Sequence, residues 1–286
     1  VALSIRTNID SLVAQSNLRT SSNELSKSFE RLSSGLRINS ASDDPAGLAL
    51  SAKLEADTRI ATVAIRNAND GISVANVADS ALSEVGNILN RMLELATQSA
   101  NGTLVTSQRS ALSSEFLALG SEIDRIAKTT TFNNISLLSN GRSFAIQVGF
   151  DSSANSQITI GAISGTLDSL GLGATGGSAL VYSIISTSDT GSAYAATQAL
   201  SAVQNAIGSL TTIRGTIGAA ENRLSYALNY LEVARENFAA AVSRIRDVDV
   251  AEEVAKMVSL QVRQQAATAV LAQANQTPNL VLNLLQ

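Results

Sequence analysis

Between residues 196 and 245 one apolar seam runs without interruption. It passes through Ala196, Ala199, Val203, Ala206, Leu210, Ile213, Ile217, Ala220, Leu224, Ala227, Leu231, Ala234, Phe238, Ala241 and Ile245. This 4-3 alternation keeps one helix face apolar for about seven heptads, the pattern of a coiled-coil helix. A helix of ~50 residues spans ~75 Å at 1.5 Å per residue, longer than the diameter of a compact domain of similar size. The seam therefore excludes a single round globule and predicts an elongated fold. Many seam positions are Ala, so a partner helix can approach closely.

A partner is available in the same chain. Ala75, Ala78, Leu82, Val85, Leu89, Met92, Ala96 and Ser99 repeat the spacing, and Leu112, Phe116, Leu119, Ile123, Ile126 and Thr130 give a shorter version. Leu82, Leu89, Leu210, Ile217, Leu224, Leu231 and Phe238 are the large residues expected to hold this seam. Gly and Ser concentrate between the two arms, at Gly161, Gly165, Gly171, Gly173, Gly176 and Gly177 and over residues 175–192. Next to that stretch, Phe144, Ile146, Val148 and Phe150 alternate after an Asn140-Gly141 turn. Ile158 and Ile160, and then Leu180, Tyr182 and Ile184, read as two further short strands. The expected fold is all-α dominated: an antiparallel coiled-coil or helical-bundle rod with a small β-hairpin region in the middle.

Helices also flank the seams. Ile5, Ile9, Leu12, Leu25, Phe29 and Leu32 mark one near the N-terminus, and Val250, Val254, Met257, Val258 and Val262 begin another that continues to about Ala274. The C-terminal helix is apolar on more than one face, which calls for more neighbours than one chain offers and points to other subunits. Helix boundaries are marked by Asp44-Pro45, a capping carboxylate before a first-turn proline, and by Asp249 to Glu252 at capping-box spacing. Pro278 is expected to interrupt the last helix.

Composition removes most chemistry. The 286 residues include no Cys and no His, which excludes thiolate nucleophiles, disulfides, His-based triads and the commonest zinc ligands. A net charge of −4 gives no general pull toward nucleic acid, and no run of 18 apolar residues suits a membrane span. The first residues lack a basic stretch followed by an apolar one, so no Sec-type signal is expected. Gly171 to Gly176 matches G-x-G-x-x-G, but the segment after it, Ala179 to Ile185, reads as a strand rather than a helix, so a loop is expected. Asp247, Asp249, Glu252 and Glu253 read as a carboxylate-rich helix start beside Arg244 and Arg246, not as a cation site. No cofactor, metal or catalytic residue is expected.

Specific stretches resemble the bacterial flagellin family. At the N-terminal side these are Ile5-Arg6-Thr7-Asn8, Ser11 to Leu18, and the run Arg31-Leu32-Ser33-Ser34-Gly35-Leu36-Arg37-Ile38-Asn39-Ser40-Ala41-Ser42-Asp43-Asp44-Pro45-Ala46-Gly47. At the C-terminal side they are Ser243 to Asp249, Ala269 to Gln276, and Leu280 to Leu285. Gln147-Val148-Gly149 followed by Ile158 resembles the family's rod-domain hairpin.

The resemblance implies a terminal helical coiled-coil domain from 1–32 and 250–286, forming the filament core. It implies a spoke linker over 33–45 and a rod domain over 46–150 and 190–249. A short variable insertion, 151–190, takes the place of outer domains. Ile5, Ile9, Leu12, Val254, Val258, Val262, Leu271, Leu282 and Leu285 would pack subunits in the filament core. The family's role implies self-assembly into a helical homopolymer for swimming, outside the bacterial cell, after type III export. The partners would be an export chaperone, the filament cap and hook-junction proteins, with no nucleic acid and no membrane. A hook–filament junction protein is the alternative. Arg91, Leu95 and Glu115 match the residues by which recognised flagellins contact Toll-like receptor 5.

Overall fold

In a computed structural model, residues 7–174 and 179–284 are described, with side chains at the C-terminal end described up to residue 276. Among the described residues five helices dominate: α1 (Ile9–Ser34), α2 (Pro45–Ala100), α3 (Thr106–Thr129), α4 (Asp189–Arg246) and α5 (Val250–Leu284). The same residues hold four short strands in two antiparallel pairs, β1 (Thr131–Phe132) with β2 (Ile135–Ser136), and β3 (Phe144–Gln147) with β4 (Gln157–Ile160). The chain forms two compact units, one from residues 1–58 and 236–286, the other from 59–235. The divisions fall inside α2 and α4 rather than at turns.

The 59–235 unit is built on the heptads. Ala75, Ala78, Leu82, Val85, Leu89, Met92, Ala96 and Ser99 are all fully buried on α2, and Phe116 and Ile123 face them from α3. On α4, Leu210, Ile217, Leu224 and Leu231 are buried. α2 and α4 run antiparallel: Asp79 meets Arg214 through two hydrogen bonds of 2.7 and 3.0 Å. Close approach is fixed on either side of that pair. A Cβ on Gly71 would stand 3.1 Å from Leu224 Cδ1, and one on Gly86 would stand 3.2 Å from Leu210 Cδ2. Each fully buried leucine contributes about 1.5–3 kcal/mol by leaving water.

The middle segment departs from a plain linker. Ile163, Leu167, Leu170, Leu172 and Ile184 are buried in the same core. Gly171 adopts a left-handed φ of 74° in a tight turn closed by Leu172 N–H on Leu167 O at 2.8 Å. This is the loop expected for the glycine motif, whose Gly176 lies outside the described residues. The expected strand at Leu180–Ile184 is corrected. Only an isolated bridge joins Leu180 to Gly173. Ile184 is buried and Val181 exposed, as alternation requires, but no strand among the described residues lies alongside to complete a ladder. The alternation is spent on packing against helices, where Ser99 Oγ donates to Ile184 O at 2.8 Å.

The main hairpin pairs Phe144 with Ile160 and Ile146 with Ile158. The first strand stops at Gln147 instead of Phe150, because Val148 and Gly149 both donate to the single Ser156 carbonyl at 2.9 Å, a bulge-like arrangement that ends the ladder. A second small hairpin, β1–β2, turns through Asn133 and Asn134 at φ 46° and 63°. Asn is among the few residues that accept this left-handed pair.

The other unit pairs α1 with α5. Asn8 caps α1, its Oδ1 accepting the Ser11 N–H at 3.0 Å, and Gly35 ends it at φ 72° with its N–H on Arg31 O at 2.8 Å. The segment after Gly35 is pinned to the turn between α4 and α5. Arg37 N–H donates to Arg246 O at 2.6 Å, its Nη2 to Ile245 O at 2.7 Å, and Val248 N–H to Gly35 O at 3.0 Å. Asp44 caps α2 through the Ala46 and Gly47 N–H groups at 3.1 and 3.0 Å, with Pro45 in the first turn, as its sequence predicts. Asp249 likewise caps α5 through Ala251 and Glu252 at 2.9 and 3.2 Å.

The last helix corrects two expectations. α5 does not end near Ala274, and Pro278 does not interrupt it; the helix runs to Leu284. The Ala274 carbonyl, four residues before the proline, receives the Asn8 side-chain amide at 2.7 Å. An outside donor at that point reduces the usual penalty of an interior proline, about 3 kcal/mol.

Asp43 gives the 33–45 segment an acid response. The Ser40 N–H at 3.1 Å holds its carboxyl below the ordinary carboxylate range, opposed by partial burial and helped by Ser40 Oγ, Asn39 N–H and Lys27. A carboxyl lowered on folding stabilises above its unfolded value, and that stability disappears as pH falls through the folded one. Asp43→Asn is therefore expected to weaken this unit at neutral pH. The gap to wild type should narrow as pH falls below the ordinary carboxylate value of about 3.9 and close once pH passes beneath the lowered folded value, as read by urea midpoints along a pH series.

Candidate assembly interface

The terminal unit is held differently from the coiled-coil unit. Its two helices bury few large apolar side chains; among the described residues Ala14 and Leu25 on α1 and Leu260 and Ala274 on α5 are the buried apolar ones. Polar pins set its antiparallel register instead. Ser28 Oγ donates to Glu253 Oε1 at 2.5 Å, Gln264 Nε2 to Ser22 Oγ at 2.9 Å, Ser11 Oγ to Asn275 Oδ1 at 2.8 Å, and Asn8 Nδ2 to Ala274 O at 2.7 Å. Glu253 is itself buried, with Arg31 Nη1 at 3.9 Å. Its neighbours in the acidic stretch turn elsewhere, Asp249 to its capping role. Glu253 belongs to the register rather than to the solvated helix start that its composition predicts.

The apolar residues of these helices face outward. Ile9 and Leu12 are more than half exposed on α1, and Val254, Val258 and Val262 are exposed at four-residue intervals along α5. Leu271 is half-buried. The side chain of Leu282 and all of Ile5 and Leu285 lie outside the described residues. Val13, Phe29, Val250 and Val270 widen the exposed apolar surface; Phe29 and Val250 belong to the apolar patterns that mark these helices, and Val13 and Val270 lie outside them. A signal for them is present: each lies off the narrow face that one partner helix covers. A paired helix with valines standing in water at every turn has an unfilled contact. Such a surface marks an interaction site rather than a catalytic one.

The seven large seam residues separate into two groups. Leu82, Leu89, Leu210, Ile217, Leu224 and Leu231 are buried, while Phe238, in the terminal unit, is half-buried. On the coiled-coil unit, Tyr226, Tyr230 and Val233 form an exposed stripe on α4, which heptad counting misses because it lies off the seam.

The structure brings Arg91 and Glu115 together. Arg91 Nε donates to Glu115 Oε1 at 2.8 Å and its Nη1 to Glu94 Oε2 at 2.8 Å, with the Arg91 and Glu115 side chains 49% and 44% exposed. The carboxylates, Glu115 first, hold the guanidinium still more firmly protonated. Leu95 is not on that surface. It follows Met92 by three residues and precedes Ser99 by four, so it shares their seam face and is fully buried. Leu95 therefore offers no accessible contact in this structure.

Comparison with known proteins accounts for this arrangement. The bacterial flagellin N-terminal helical region matches residues 5–143, and the bacterial flagellin C-terminal helical region matches residues 200–285. The flagellin of Halalkalibacterium halodurans is 41% identical over 282 residues, covering 99% of both chains. Polar flagellin F of Vibrio parahaemolyticus is 31% identical, with full coverage of both. A crystal structure of Bacillus cereus flagellin shares 33% identity over 58% of this chain and 88% of that one, at a TM-score of 0.47. Both helical arms and the full length of the relatives are accounted for, and the chain belongs to the bacterial flagellin family, the structural proteins that assemble into the flagellar filament.

Proposed function

We propose that this chain polymerises by burying the outward apolar faces of α1 and α5 against the same helices of neighbouring copies. The observation that carries the reading is the exposed valine row Val254, Val258 and Val262 on a helix already docked to α1. One side of α5 is satisfied within the chain and the other is left for other chains. Repetition of one such heterologous contact that does not close gives a helical polymer. The polymer would be the extracellular filament, and the chain would reach it through the type III route with an export chaperone and be placed under a filament cap. A hook–filament junction protein has similar ends but does not elongate. Purified monomer added to short filament seeds is therefore expected to give long uniform tubes in negative-stain electron microscopy. Short capped oligomers would move the assignment to the junction class.

A second reading rests on a separate observation, the exposed Arg91–Glu115 pair. A charged pair presented on adjacent helices offers a receptor both a donor fork and an acceptor. We infer recognition of the monomer by Toll-like receptor 5 through this pair. Arg91→Ala and Glu115→Ala are expected to lower receptor-reporter signalling at least about tenfold, the effect of losing a charge-assisted contact of about 1.4 kcal/mol or more. Circular dichroism should stay unchanged. Undiminished signalling by both variants would contradict the assignment.

A further inference from the structure

Tyr226, Tyr230 and Val233 stand 77%, 65% and 58% exposed on α4, spaced by four and three residues as one stripe. Tyr226 comes two residues after Leu224, about 200° around the helix, and Leu224 is the residue that abuts Gly71 of α2. The stripe therefore starts on the side of α4 turned away from α2. A second apolar feature lies on α2 itself. Ile60, Val63 and Ala64 line an open groove of about 250 Å³ beside the end of β3, together with Asn67 and Gln147. Asn67 Nδ2 donates to Gln147 O at 3.1 Å and holds the hairpin against α2 at this point. Ile60 and Val63 are still 39% and 45% exposed. Stripe and groove share one level of the 59–235 unit. Gly71 faces Leu224, so eight residues back along α2 and eight on along the antiparallel α4 bring Val63 level with Glu232, between Tyr230 and Val233.

We propose that the Tyr226–Tyr230–Val233 stripe of one copy docks into the Ile60–Val63 groove of a second copy, a subunit contact separate from the α1 and α5 faces. The two surfaces suit each other chemically. The groove has aliphatic walls and room for one aromatic side chain. Tyr230, at the middle of the stripe, brings an apolar ring with a polar tip, and Asn67 and Gln147 offer that hydroxyl amide partners. A chain cannot fill its own groove, because its stripe lies on the far side of α4. Two copies side by side can, because stripe and groove stand at the same level. The surfaces that meet are different, so a joined pair keeps one stripe and one groove open and the contact repeats without closing. A family that assembles into filaments supplies the second copy. The inference rests on the reading of this chain as a polymerising subunit, and adds to it a contact within the 59–235 unit.

The chain has no cysteine, so introduced thiols report only on their own positions. Ile60→Cys and Val233→Cys, made in separate chains with both tyrosines in place, are mixed and elongated on filament seeds. A short bifunctional thiol cross-linker is expected to join position 60 of one copy to position 233 of another, in excess of either homodimer. The unpolymerised mixture should give no such product. In a second arm, the Tyr226→Ser/Tyr230→Ser double variant is expected to raise the critical monomer concentration about tenfold or more, the effect of losing an aromatic anchor. Its circular dichroism and thermal transition should match wild type, because both side chains stand in water in the single chain. Tyr230→Phe, which keeps the ring, should stay within about threefold of wild type. The proposal is overturned if filaments form without the 60–233 product, and equally if the double serine variant elongates like wild type. A wild-type chain that fails to elongate seeds would overturn the polymerisation reading, and this contact with it.

Discussion

Removal of residues 250–286 is expected to abolish polymerisation while leaving the 59–235 unit folded. No member of the continuous buried core between Ala64 and Leu231 lies in the deleted segment. The heptad packing of α2, α3 and α4 should therefore survive, visible as retained helical circular dichroism and an unchanged unfolding transition for that unit. The deletion does take away Val254, Val258 and Val262, and with them the partners that hold α1 in place: Glu253 for Ser28, Gln264 for Ser22 and Asn275 for Ser11. Both faces of the assembling pair are lost in one step. The critical concentration should rise beyond the reach of a pelleting assay, more than about a hundredfold, which corresponds to only about 2.7 kcal/mol per subunit added. Filaments formed by the truncated chain would refute the role given to α5.

The opposite dissection is a charge on the seam. Leu82 is fully buried on α2 and packs in the continuous core of the 59–235 unit. Leu82→Glu loses the leucine's transfer free energy and places a carboxylate among the buried apolar side chains of this core. Truncating a buried leucine alone costs about 2–5 kcal/mol, and an unpaired buried charge adds to it. A total on the order of 5 kcal/mol or more approaches the whole stability of a typical domain, about 5–15 kcal/mol. The thermal transition of this unit should fall by tens of degrees or vanish, with loss of the helical signal. Leu82→Met, which conserves volume, should cost less than about 1.5 kcal/mol. A stable, cooperatively folded Leu82→Glu chain would show that the seam is not the core of this unit.

These two changes act on parts of the molecule that are legible in sequence to different degrees. The heptads of α2 and α4 are readable because a 3.5-residue apolar repeat has one packing solution, and Leu82, Leu89, Leu210 and Leu224 occupy the buried positions it assigns. The same regularity explains why the surface expectation for Leu95 fails. A motif match puts it on the surface, whereas its spacing from Met92 and Ser99 puts it in the seam. The pairing of α1 with α5 is harder to read. Its register is held by Ser11, Ser22, Ser28, Glu253 and Gln264, residue types that sequence patterns assign to water. Only the meeting of distant segments shows them to be partners. The expected break at Pro278 fails where a distant contact is also involved, since the Asn8 amide that reaches the Ala274 carbonyl comes from the other end of the chain. The Leu180–Ile184 alternation predicts burial correctly and hydrogen bonding wrongly. Period-two burial requires an extended chain on a core, but a strand also requires a neighbour. The β1–β2 hairpin escapes sequence reading although Asn133-Asn134 signals a left-handed turn, because two-residue strands carry too short a pattern to register.

Polymerisation through α1 and α5 requires that their outward faces are the surfaces buried between subunits. Helical reconstruction by electron cryomicroscopy of filaments grown from this chain tests it most directly. Ile9, Leu12, Val254, Val258 and Val262, exposed in the single chain, are expected to lose their solvent contact to the α1 and α5 helices of neighbouring copies. A filament in which these side chains remain in water, with subunits joined solely through the 59–235 unit, would contradict it.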